Sequence, residues 1–254
     1  MKHIPNLFTL LNLFFGCLAI VFLLQNGIGV FDSPDGRQLL ILPESTAFAS
    51  LFILLAAVVD FLDGFVARLF KSTSEMGKQL DSLADVVSFG VAPGIILYQV
   101  LRLSVAGEED GLDASIIWLL PAFILPCAAA WRLAKFNLDN TQQHSFKGVP
   151  TPAVGLLVAS VPMIVLHSTS QAVWDLIFNK WFIYAVIFAL SYLMVSNHPM
   201  MSLKFKDYTV KGNLSKVILI VASVALIFLF HWLAVPFIFL LYIVLSLLLK
   251  KGLA

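Results

Sequence analysis

Charge is scarce in this sequence. Asp, Glu, Lys and Arg make up 12% of its 254 residues, where a soluble domain of ordinary composition carries about 25%. That leaves too little polar surface to cover a water-soluble domain of this length. Period-two alternation over short segments is also missing, which argues against a transmembrane β-barrel. Cysteine is limited to Cys17 and Cys127, both inside long apolar runs. A disulfide framework is therefore not expected, and each reads as a small buried hydrophobe. No histidine pairs with another at metal-ligand spacing, and His144 reads as a loop residue. The first apolar segment lacks a small-residue cleavage site and is too long for a cleavable signal. With no internal repeat or low-complexity linker, residues 1–254 are expected to form a single integral membrane domain.

What is abundant is apolar. Hydrophobic residues make up 60% of the chain, and apolar segments near the length needed to cross a bilayer recur along it. The expected class is all-α polytopic membrane protein with about eight transmembrane helices. The segments run roughly over 5–25, 46–70, 80–103, 115–137, 152–167, 181–196, 215–230 and 232–249. The last two meet at a tight turn near His231 and read as a bent hairpin or a re-entrant pair.

The cations are distributed unevenly. The side holding the N-terminus carries Lys2, Arg68, Lys71, Lys78, Arg132, Lys135, Lys147, Lys204, Lys206, Lys211, Lys216, Lys250 and Lys251; the other holds Arg37, Arg102 and Lys180. This bias predicts that the first side is cytoplasmic. No nucleic-acid partner is expected; the partners are membrane lipids and small metabolites.

Against this background the stretch from Asp60 to Gly90 stands out. Asp60 and Asp63 are spaced i, i+3 near the cytoplasmic end of the second segment; Asp81 and Asp85 are spaced i, i+4 near the start of the third. Each pair shares a helix face. A short connection makes the two helices antiparallel neighbours, so the carboxylates converge. Like charges at low dielectric repel strongly unless they are protonated or bridged by cations. Oxygen ligands without His or Cys favour hard ions such as Mg²⁺, Mn²⁺ or Ca²⁺. Gly64, Ala67 and Gly77 permit close approach, and Arg68 suits a pyrophosphate. Two cations and one free carboxylate would equip the site for displacement at phosphorus by an alcohol.

The pattern D-x2-D-G-x2-A-R-x8-G-x3-D-x3-D is matched at every fixed position by Asp60, Asp63, Gly64, Ala67, Arg68, Gly77, Asp81 and Asp85. It resembles the signature of the CDP-alcohol phosphatidyltransferase family. The resemblance implies a six-helix catalytic core over about 1–197; beyond it, hydropathy alone gives a further C-terminal hairpin over about 213–250. The resemblance also implies a homodimer and a site facing the cytoplasm, as in a bacterial inner membrane. Such enzymes transfer a phosphatidyl group from CDP-diacylglycerol to an alcohol and release CMP. By the same resemblance Asp60, Asp63 and Asp81 hold two ions, Mg²⁺ or Mn²⁺, with Asp85 able to share one while serving as the base. Asn6, Thr9, Gly64, Ala67, Arg68 and Gly77 would lie along the nucleotide donor.

The acceptor must be read from elsewhere. "PNLFTLLNLFFGCLAI", "DSLADVVSFGVAPG", "RLAKFN" and "FKGVPTPA" resemble the branch of the family that uses L-serine. Serine needs a cation for its carboxylate and acceptors for its ammonium. Ser88, Arg132, Lys135, Asn137 and Lys147 are the candidates. Glycerol 3-phosphate, inositol phosphate or choline is the alternative acceptor. A divalent-cation transporter would instead place its acids near the midplane, and a non-catalytic scaffold has no need of Asp85 beyond the metal ligands. The segment 26–45 has no assigned role, and 201–208 reads as an interfacial stretch with Lys outward.

Overall fold

The computed structural model describes residues 4–25, 29–32, 38–41, 44–69, 74–107, 115–138, 146–201 and 213–248. The chain is a bundle of helices: α1 (Ile4–Leu24), α2 (Ser45–Leu69), α3 (Glu75–Val86), α4 (Ala92–Ala106), α5 (Ile124–Leu138), α6 (Thr151–His167), α7 (Gln171–Ile177), α8 (Lys180–Val195), α9 (Leu214–Phe230) and α10 (Ala234–Leu248). Every apolar segment expected from the sequence is helical. Five stretches are long and apolar enough to cross a membrane, and the pair α7–α8, bent by 63°, raises that to six. A count of eight separate spans is not established, because α6 is shorter and α9 and α10 fall within one stretch, Ser215–Leu248. That stretch breaks at His231, whose φ of 49° and ψ of −121° cannot continue a helix. The C-terminal half then packs back on the first.

Two short antiparallel ribbons join the helices. Strand β1 (Gly29–Asp32) pairs with β2 (Gln38–Ile41), giving structure to part of the segment between α1 and α2. Strand β3 (Phe146–Lys147) pairs with β4 (Pro199–Met200). Much of 201–208 and His144 lie outside the described residues. Cys17 and Cys127 are exposed on their helices rather than buried. For a membrane-embedded helix an outward position facing lipid is as apolar as the core, so hydrophobicity alone does not assign a face.

The helices are positioned by small residues and by one irregular turn. α3 starts at Glu75, five residues earlier than apolarity suggests, because the Ser74 hydroxyl accepts from the Gly77 N–H at 3.0 Å and caps it. α3 and α4 run on through a π-helical turn, Val87–Val91, in which the Ala92 N–H reaches the Val87 carbonyl. Pro93 follows and offers no N–H to the preceding turn. The turn buries Ser88, Phe89 and Gly90 completely or nearly so. Phe89 sits at the centre of the core, and α6 crosses it at Gly155, where a Cβ would stand 2.9 Å from the Phe89 backbone. α1 lies along α2 through the stacked rings of Phe15, Phe22 and Phe52.

α2 and α3 are not close neighbours. Each packs along α1, and their own backbones scarcely approach one another. The expectation of a direct antiparallel pair is corrected here: α1 is the third wall, and the space between α2 and α3 is left for their carboxylates.

The glycines separate into packing and open positions. Gly155→Val should destabilise the bundle by overpacking, at a cost of about 1–3 kcal/mol. Gly64 has no neighbour within 4 Å, so Gly64→Ala should melt at or somewhat above the wild-type temperature, Ala being the better helix former. Thermal unfolding of both variants in detergent checks this; equal stability of the two would contradict the packing described.

Candidate active site

The site is built around one polar stripe on an otherwise apolar helix. Asn6, Thr9 and Asn12 recur every three residues on α1 and share a face. Thr9 and Asn12 are buried. The Thr9 hydroxyl donates to Asp63, and the Asn12 amide donates to Asp85 Oδ1 at 3.3 Å. Ser88 from the π turn donates its hydroxyl to the Asn12 carbonyl at 3.0 Å. This is possible because Gly16, one turn further along α1, has no Cβ to collide with Ser88. Asn6 brings Oδ1 to within 3.1 Å of the place where a Cβ on Gly77 would stand.

Asp60 from α2 and Asp81 and Asp85 from α3 face one another at the centre. Each offers one carboxylate oxygen, and these oxygens lie within 4.8 Å of each other. At 1.5 Å per residue the three sit roughly 9–15 Å inside the ends of their helices. Asp63 stands apart from that triplet. One of its oxygens accepts from Thr9, and the other is buried without a partner. It remains close enough to Asp60 and Asp81 to feel their charge. Asn12 Oδ1 is likewise buried and unpartnered. Three converging carboxylates and two unpartnered acceptor oxygens form a donor set of oxygen only, which fits hard divalent cations. The open side of Gly64 leaves room beside them for a ligand. Ala67 and Arg68 lie on α2, and their side chains fall outside the described residues.

A second group of residues forms a basic cleft. Arg132 and Lys135 from α5, Lys147 from β3 and Ser196 after α8 line it together. Arg132 is buried; its Nη1 donates to Thr151 Oγ1 at 3.0 Å, while its Nε has no partner. It is also in electrostatic range of Asp85. Lys135 donates to Asn197 Oδ1 at 2.6 Å. Lys147 is carried at the mouth by Gly148, whose φ of +74° turns the chain toward α6.

Of the five acceptor candidates, three therefore share one cleft. The other two have structural partners. The Ser88 side chain is fully buried and bonded to α1. The Asn137 amide donates to Ser82 Oγ at 2.8 Å and its carbonyl accepts from Lys78 at 3.0 Å, tying α5 to α3. Two contributors were not singled out from sequence. Asn12 had a usable signal, the three-residue repeat it completes with Asn6 and Thr9. Thr151 had none, since its partner is 19 positions away.

Comparison with known proteins agrees with this arrangement. The sequence model of the CDP-alcohol phosphatidyltransferase family matches residues 2–196, which take in both the carboxylates and the basic cleft. A relative from Bacillus subtilis (strain 168), named CDP-diacylglycerol–serine O-phosphatidyltransferase, is 31% identical over 196 residues, covering 77% of this chain and 88% of its own. One of the same name from Helicobacter pylori (strain ATCC 700392 / 26695) is 30% identical over 227 residues, covering 88% and 81%. Another from Saccharomyces cerevisiae (strain ATCC 204508 / S288c) is 36% identical over 172 residues, covering 64% and 54%. With its signature aspartates gathered on α2 and α3 and three quarters of its length matched, the chain belongs to the CDP-alcohol phosphatidyltransferase family.

Proposed function

We propose that the protein transfers the phosphatidyl group of CDP-diacylglycerol to L-serine, forming phosphatidylserine and releasing CMP. The observation that carries this reading is the convergence of Asp60, Asp81 and Asp85 beside a cleft lined by Arg132, Lys135 and Lys147. The names of its relatives support the serine acceptor. Residues 1–254 act as one catalytic unit, in a homodimer, with the site facing the cytoplasm of a bacterial inner membrane.

Asp60, Asp63 and Asp81 would hold the ions, with Asp85 sharing one. Mg²⁺ or Mn²⁺ bound there would neutralise the diphosphate and stabilise the leaving CMP. Thr9 fixes the rotamer of Asp63, and Asn12 fixes that of Asp85. Such orienting contacts typically carry about 10–100-fold in activity. Asp85 takes the serine hydroxyl proton. The hydroxyl oxygen then forms its bond to the phosphorus that carries diacylglycerol. The bridging P–O bond breaks, and its electron pair leaves with CMP. Arg132, held by Thr151 and with Nε unpartnered, would grip the serine carboxylate.

Substitutions, chelation and a panel of acceptors test this. Asp60→Asn, Asp63→Asn or Asp81→Asn should abolish CMP release, as should excess chelator; full activity in chelator would remove the metal from the reaction. Asp85→Asn keeps size but cannot take the proton, so turnover at saturating donor should fall about 10²–10⁴-fold with donor binding largely retained. Arg132→Lys keeps charge but loses the planar fork. It should raise the serine KM while leaving that for CDP-diacylglycerol nearly unchanged. Ethanolamine, which has no carboxylate, should not be phosphatidylated. Transfer to glycerol 3-phosphate, inositol phosphate or choline, with none to serine, would keep the family and discard this acceptor.

A further inference from the structure

The family match ends at residue 196, yet the helix nearest the C-terminus touches the cleft's support. α10 is apolar along nearly its whole length, and its outer positions Leu240, Val244 and Leu247 are exposed. Two polar side chains interrupt it, Tyr242 and Ser246, spaced i, i+4 on one face and both buried. Both reach the same residue. The Tyr242 hydroxyl donates to the Met201 carbonyl at 3.2 Å, and Ser246 Oγ accepts from the Met201 N–H at 3.1 Å. Ser246 completes its valence by donating to the Tyr242 carbonyl at 2.7 Å. Both backbone groups of Met201 are thus held by one helix.

Met201 follows β4 directly. β4 pairs Met200 with Phe146 and Pro199 with Lys147. The next residues are fastened to the same segment: the Gly148 N–H donates to the His198 carbonyl at 2.9 Å, and the Val149 N–H to the Leu193 carbonyl at 3.1 Å. The wall of the cleft that carries Lys147 and Ser196 is therefore one ribbon, and α10 grips its free end. Tyr242 is also in electrostatic range of Arg132 on the opposite wall.

We propose that Tyr242 and Ser246 are positioning residues for the alcohol acceptor, acting through Met201 to hold the β3–β4 ribbon against α5. The C-terminal hairpin α9–α10 is then a part of the acceptor site rather than an additional anchor. This rests on the reading that the basic cleft takes the acceptor. Among the described residues, the hydrogen bonds of Tyr242 and Ser246 run to Met201 and within α10, not to α1, α2 or α3, on which the donor side is built.

The test uses the full-length protein in detergent–lipid micelles, with initial rates of CMP release at varied serine and varied CDP-diacylglycerol. Tyr242→Phe and Ser246→Ala each delete one hydroxyl and keep the helix apolar. Each should raise the serine KM about fivefold, the scale of one hydrogen bond, with the KM for CDP-diacylglycerol within twofold of wild type. Ser246→Thr restores a hydroxyl and should restore the serine KM. A serine KM within twofold of wild type in the double variant overturns the proposal. So does a parallel rise in both KM values without rescue by threonine, which is what general loosening would give. If the wild-type protein uses another alcohol and not serine, only the choice of acceptor fails, and the same variants are read on the KM of that alcohol.

Discussion

Carboxylates that face one another inside an apolar bundle set the terms for the rest of this structure. Unscreened, they would repel by several kcal/mol per pair even at an effective dielectric of about 20. They persist only if they are protonated or have cations between them, and if neighbouring donors hold their rotamers. The first condition accounts for the separation of α2 and α3. Two helices in van der Waals contact would leave no room for ions between Asp60 and the Asp81–Asp85 face. The second accounts for α1. It fills the gap with a stripe of Asn and Thr whose hydroxyl and amide reach Asp63 and Asp85. A wholly apolar α1 would pack as well in lipid but would leave those carboxylates without donors.

The π-helical turn follows from the same demand. Asp85 and Ser88 must both address α1, one through the Asn12 amide and the other through its carbonyl. Phe89 and Gly90 must then face α6 and α5. A regular helix of 3.6 residues per turn does not present all four in those directions without drift. One widened turn reorients the chain after the carboxylate face is complete. It is tolerated because Pro93 has already removed a donor from the regular ladder and because Gly16, Gly90 and Gly155 let neighbouring helices come close. Small residues are how helices associate tightly when there is no water to drive them together.

What the sequence disclosed and what it hid divide along this line. The helical class and the pairing of the aspartates were legible because both follow from local periods: apolar length, and spacings of three and four. Asp63's separation from the other three was not legible, since it is set by Thr9, 54 positions away. The two residues fixed in structural bonds, Ser88 and Asn137, looked equivalent to Arg132 in sequence, being polar and near the right helix ends. Only the packed structure shows that their hydrogen bonds go to α1 and α3. The exposure of Cys17 and Cys127 was hidden for a different reason. In a membrane the hydrophobic pattern does not distinguish inward from outward positions, and polar or very small residues do. The same reasoning would have picked out Asn12, and it picks out Tyr242 and Ser246 on α10.

The proposed division between a donor half and an acceptor half has a physical basis. The diphosphate of a nucleotide lipid is recognised by charge, which requires few protein contacts once cations are in place. Rigid helices with short polar side chains are sufficient for it. A small zwitterion offers a carboxylate and an ammonium only a few ångströms apart, so its recognition depends on where individual groups stand. The residues available for this here do not come from one rigid element. Arg132 and Lys135 belong to α5, Lys147 to a two-residue strand, and Ser196 to the end of α8. A ribbon of two residues per strand cannot hold register alone, because isolated two-stranded pairs are marginal in stability. Its geometry must be imposed from outside, by the Leu193 carbonyl of α8 on one flank and by the hydroxyls of α10 on the other. On the proposed assignment of the basic cleft, selectivity for the acceptor alcohol would rest on α5 and the elements after it, and the carboxylate chemistry on α1, α2 and α3.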